Sequence, residues 1–99
     1  MNPAMIRKIQ KMQKDMEAAQ KELEMKTFTG TSGGVVTVEA FGSKEVSRIT
    51  INKDAIEGKE DLDLLEDVLL AAINDVMKKI DDETARVMGQ FQVPGGFGF

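Results

Sequence analysis

Few residue types in this chain could do chemistry. Its 99 residues include no histidine and no cysteine, which removes at once the neutral-pH proton shuttle, the commonest metal ligand and the thiolate nucleophile. What remains is charge. The stretch "MIRKIQKMQKDM" (5–16) holds four cations, Arg7, Lys8, Lys11 and Lys14, against one acid, Asp15, in a chain whose formal net charge is -4. No acid precedes Asp15, whereas Asp15, Glu17, Glu22 and Glu24 crowd the second half of the segment. Lysines and an arginine grouped in this way suit phosphate, because affinity for nucleic acid follows local potential more than total charge.

Two other groups invite a chemical reading and do not sustain it. Five carboxylates stand between Glu60 and Asp67, but a calcium loop needs oxygen ligands at set positions around a glycine turn, and Leu62, Leu64 and Leu65 interrupt them. Acids at the start of a helix offset its macrodipole, so no metal and no cofactor is expected. Gly30, Gly33 and Gly34 lack the Gly-Lys-Ser/Thr ending and following helix of a phosphate loop; they suit turns. Nothing pairs a nucleophile with a base, and the chain is expected not to be an enzyme.

The cations need an element to carry them. Met5, Ile9, Met12, Met16, Ala19 and Leu23 are spaced alternately by four and three, a heptad seam, with Pro3 where a first-turn proline is tolerated. Arg7, Lys14 and Lys21 then lie opposite the seam with Lys11 alongside, so the cations form a solvent-facing ridge, and the seam methionines read as adaptable packing. From 27 to 52 the period becomes two and β-branched residues dominate. Val36, Val38 and Ala40 share one face, and Ile49 and Ile51 share another against Val46, Arg48 and Thr50. Thr27 to Gly30 adds a third strand, and "GSKE" (42–45) suits a hairpin. A second helix is expected over 60–87. Its "VLLAAI" (68–73) is apolar on every side and needs a second cover.

The expected fold is therefore a single α+β domain of order α-β-β-β-α, with a small three-stranded antiparallel sheet. It divides into an N-terminal helix (1–26), the sheet (27–52), the C-terminal helix (60–87) and an irregular tail (89–99) docked by Phe91, Phe97 and Phe99. Helices of 22 and 28 residues span about 33 and 40 Å, against a radius of gyration of about 13 Å for a compact chain of this size. The seam and "VLLAAI" are thus expected to meet a second copy, with Met12, Met16, Leu69 and Ile73 at the interface. No run approaches the roughly 18 apolar residues of a membrane span. A cytoplasmic protein with no membrane contact and no small-molecule substrate is expected.

Several pieces in this order carry a resemblance: a methionine- and glutamine-rich N-terminal helix, "TGTSGGVVTVEAFGSKEVSRITIN", "LLEDVLLAAINDVMKKI" and a terminal "VPGGFGF". The chain resembles the YbaB/EbfC family of bacterial nucleoid-associated, DNA-binding proteins over nearly its whole length. The resemblance implies a tweezer-like homodimer whose projecting helices bind double-stranded DNA with relaxed sequence preference, at the nucleoid. The matching cations are Arg7, Lys8, Lys11, Lys14 and Lys21, with Lys78, Lys79 and Arg86 on the second helix. The last three are interleaved with Asp75, Asp81, Asp82 and Glu83. A competing reading is a protein-interaction scaffold that uses the Met/Leu seams without touching DNA. Only the DNA reading gives the acid-free N-terminal end a purpose.

Overall fold

A computed structural model describes residues 2–91 of the chain. The element order is α1 (Pro3–Met25), β1 (Thr27–Ser32), β2 (Val36–Phe41), β3 (Val46–Ile51), two single 3-10 turns (Lys53–Ala55 and Lys59–Asp61) and α2 (Leu62–Met88). The strands form one antiparallel sheet in the order β1-β2-β3. This is the α-β-β-β-α arrangement read from the sequence, with shifted ends. Helix α1 begins at Pro3 because the Asn2 side chain caps it, accepting from the Ala4 and Met5 amides at 2.8 and 3.1 Å. Strand β1 runs two residues past Gly30. Helix α2 starts at Leu62, since the preceding turn is 3-10 and is held where the Asp61 carboxylate accepts from the Glu57 amide at 2.8 Å. Part of the acidic run thus serves the helix entry.

The core lies between one face of the sheet and α2. Val36, Val38 and Ala40 from β2 meet Ala72, Val76 and Ile80, all essentially without solvent exposure. Spacing of four residues places those three α2 side chains on one stripe, and alternation places those three β2 side chains on one face. Gly30 lets the layers close: a Cβ there would lie 2.6 Å from the Val76 amide nitrogen and 2.7 Å from its Cβ. Gly33 and Gly34 turn the chain from β1 to β2 at φ 59° and 70°, a region that side chains disfavour.

One face assignment is corrected. A bulge between Glu39 and Ala40 in the β2–β3 ladder leaves Ser47 unpaired, so Ala40 faces Val46 while Val38 faces Ile49. Val46 therefore shares the inner face with Ile49 and Ile51 rather than opposing them. A single extra residue inverts every side chain beyond it.

The molecule is long. Its radius of gyration is 19.6 Å and its extents are 69 × 21 × 14 Å, well beyond the roughly 13 Å of a compact chain. The elongation comes from α1, which passes straight into β1 and lies beside only the last turns of α2. Among the described residues no helix is long and apolar enough to cross a membrane. Of the tail, Gly89 to Phe91 follow α2 and Phe91 is half-buried; the expected docking of Phe97 and Phe99 falls outside the described residues.

Candidate nucleic-acid interface

The heptad seam decides what α1 shows to solvent. Leu23 is buried and Ile9, Met12, Met16 and Ala19 are half-buried, while every other described position on the helix is exposed. The seam turns toward the C-terminal turns of the same chain's α2, with Ala19 and Leu23 lining one open cleft with Val87, and Met12 another with Phe91. One chain thus half-covers a stripe that the sequence expects to meet a second copy. Arg7, Lys8, Lys11, Lys14 and Lys21 all stand exposed.

Among the described residues, the ion pairs engage Lys26, Lys44, Arg48, Lys78, Lys79 and Arg86 and none of the five α1 cations. Nor are Arg7, Lys8 and Lys11 placed for the benefit of the helix, unlike Lys21, which follows Glu17 by four residues. The first turn of α1 has no acid and its last turn no base, so neither end carries the charge that the macrodipole favours. Arg7–Lys11, Lys8–Lys11 and Lys11–Lys14 are like-charge neighbours at helical spacing, each destabilising by about 0.2–0.5 kcal/mol. Toward its N-terminal end the arm holds a column of like charge that no ion pair among the described residues neutralises.

The three cations of α2 are occupied. Lys78 reaches Asp82 at 3.0 Å, and that contact raises its pKa. Lys79 pairs with Asp75 at 3.1 Å and donates to the Thr29 carbonyl at 3.0 Å, while Asp75 accepts from the Thr31 amide at 3.1 Å. Together they satisfy backbone groups on the free edge of β1, and the Thr31 hydrogen bond, then Lys79, holds the Asp75 carboxyl below its usual range. Arg86 grips Glu83 through Nε at 2.6 Å and a second nitrogen at 3.1 Å. Glu83 also accepts from Lys26 at 2.7 Å. Its side chain is only 17% exposed, and Arg86 first, Lys26 second, hold its pKa at about 2. Sequence reasoning missed Lys26 and Glu83, because their partnership spans 57 positions and no local pattern signals it.

An apolar surface accompanies the charge. Leu69 and Ile73 are half-buried and Leu70 is 61% exposed. They lie on the flank of α2 away from Asp75 and Lys79, hence toward β3, whose inner-face Val46 and Ile49 are 38% and 46% exposed. Strand β3 extends past the edge of α2. Among the described residues no group of three or more metal-ligating side chains converges.

Comparison with known proteins places this geometry. The model of the YbaB/EbfC DNA-binding family matches residues 1–96. A protein of Oceanobacillus iheyensis described as nucleoid-associated is 45% identical over 98 residues, covering 94% of this chain and 93% of that one. A nucleoid-associated protein of Listeria innocua is 47% identical over 74 residues, covering 74% of this chain and 70% of the relative. The crystal structure of an uncharacterized Helicobacter pylori protein shares the fold, with a TM-score of 0.68 over 85% of this chain and 98% of that one at 21% identity. A long helix bearing exposed cations, a three-stranded sheet and a second long helix, matched along nearly the whole sequence, make this chain a member of the YbaB/EbfC DNA-binding family.

Proposed function

We propose that the protein binds double-stranded DNA as a homodimer at the nucleoid, through phosphate contacts made by the α1 cations with little reading of base sequence. The observation that carries this reading is the division of labour among cations: those of α2 are consumed within the fold, whereas Arg7, Lys8, Lys11, Lys14 and Lys21 are exposed and form no ion pair among the described residues. The absence of Trp and Tyr fits backbone contact better than stacking on single strands. The second copy covers the flank formed by Leu69, Leu70 and Ile73 with Val46 and Ile49. Joining two chains doubles the arms, and two arms can straddle a duplex that one can only touch.

The reading is quantitative. If about six phosphates are engaged by two arms, counterion release gives a slope near 0.9 per phosphate and a loss of roughly 10³ in affinity between about 50 and 200 mM salt. Fluorescence anisotropy with an arbitrary labelled duplex measures it. The combined variant Arg7→Glu, Lys11→Glu, Lys14→Glu should lose binding while remaining folded and dimeric. If that variant binds with the wild-type salt slope, the phosphate assignment is wrong and the seams serve a protein partner.

A further inference from the structure

The arm leaves the body at a joint that is held more firmly than a helix-to-strand passage requires. Leu23 is the one buried residue of α1. Against it lies the β2–β3 turn: the Gly42 amide donates to the Lys26 carbonyl at 2.9 Å and the Ser43 amide to the Glu24 carbonyl at 3.2 Å. A Cβ on Gly42 would fall inside the Leu23 carbonyl group, so this contact admits only glycine. The turn is in turn tied to α2, because Lys44, at φ 74°, reaches Asp81 at 2.8 Å. On the neighbouring side Lys26 meets the Glu83 carboxylate, already gripped by Arg86. Backbone bonds, a glycine contact and two ion pairs thus surround one joint.

We infer that this bracket, with Gly42 and Glu83 as positioning residues, fixes the angle of the cationic arm and thereby the spacing of its phosphate contacts on DNA. The inference rests on the proposed function of the arm. Leverage gives it force. From Leu23 to Arg7 the helix runs about 24 Å, so a tilt of about 10° at the joint carries the tip about 4 Å, as far as the whole reach over which a cation and an anion form a contact pair. On this account Arg86 serves as a brace for the arm and makes no contact with DNA.

The test uses the full dimer and exploits the absence of native cysteine. Spin labels at exposed Gln10→Cys and Asn74→Cys, diluted with unlabelled chain, report the distance distribution between arm and body. Glu83→Gln is the main variant, Glu83→Asp the conservative one. Removing an acid makes the chain less negative, so charge alone predicts tighter DNA binding. The bracket predicts the opposite: a broadened distribution and affinity at least 10-fold weaker at about 100 mM salt, partly restored by Glu83→Asp. An unchanged distribution, or a broadened one with unchanged or tighter binding, overturns the inference. Gly42→Ala should act in the same direction, with circular dichroism separating a tilted arm from an unfolded chain. If the triple arm variant of the preceding section still binds, both readings fall; if it loses binding while Glu83→Gln retains it, only the bracket falls.

Discussion

Reversing one arm charge should move stability and affinity in opposite directions. Lys11 has Arg7, Lys8 and Lys14 at helical contact spacing and Asp15 four residues on, all exposed. In Lys11→Glu three repulsive pairs become attractive and one attractive pair becomes repulsive, a net gain of two reversals. At about 0.2–0.5 kcal/mol for each pair in either sense, the arm gains about 1 kcal/mol, or about fivefold slower amide exchange near its tip. DNA binding moves the other way. Each lost phosphate contact removes about 0.9 from the salt slope and, at about 100 mM salt, about 0.9 decade of affinity. Two arms therefore lose nearly two decades, roughly 60-fold, and the new carboxylates add repulsion. Hydrogen exchange and anisotropy on the same sample give both numbers. A bystander on a solvated face would gain helix protection and leave binding alone, so an unchanged affinity and salt slope in a protein with a slower-exchanging arm would refute the phosphate role of Lys11.

Three further outcomes follow from the same geometry. Leu70→Asp places a charge on a side chain already 61% exposed in one chain, so it should spare the fold of that chain and yet dissociate the dimer in sedimentation; Leu69→Asp and Ile73→Asp should do both kinds of damage, and a dimer indifferent to all three moves the interface off this flank. Gly30→Ala pushes a methyl into the α2 backbone and should lower stability by about 3 kcal/mol, whereas Gly34→Ala meets open space but must hold φ 70° and should lose only about 1 kcal/mol; denaturant midpoints rank them. Glu83, depressed from 4.5 to about 2, contributes stability that is fully present above about pH 4.5 and lost as pH falls toward 2, so acid melts should show a loss in that window that Glu83→Gln lacks.

Much of the fold was legible because its signals are local. Alternation of three and four marks α1, and the stripe it predicts is the one that the structure shields, from Ile9 to Leu23. Period two in "VTVEA" put Val36, Val38 and Ala40 on one face, which the structure shows to be the core face, and two adjacent glycines marked the first turn. The free cations of the arm were equally plain, since a run without acids is visible in one dimension. Val46 was misplaced because a bulge depends on how two strands meet, and nothing within "VSRITI" encodes an unpaired serine.

The sequence by itself determined the elements, their order, the amphipathic faces and the segregation of positive charge to one end. Hydrophobic periodicity and composition are properties of neighbouring residues and survive without a partner. Only the tertiary structure decided the long-range partnerships of charge. The acids beside Lys78, Lys79 and Arg86 stand three or four residues away and are visible in the sequence, but only folding carries Lys26 to Glu83 across 57 positions and Lys44 to Asp81, and lays the Thr29 carbonyl on Lys79. Pairs within a helix follow from its period, but the pairs of Lys26 and Lys44 are distances of about 3 Å that exist only once the sheet, the turn at Gly42 and α2 have closed on one another.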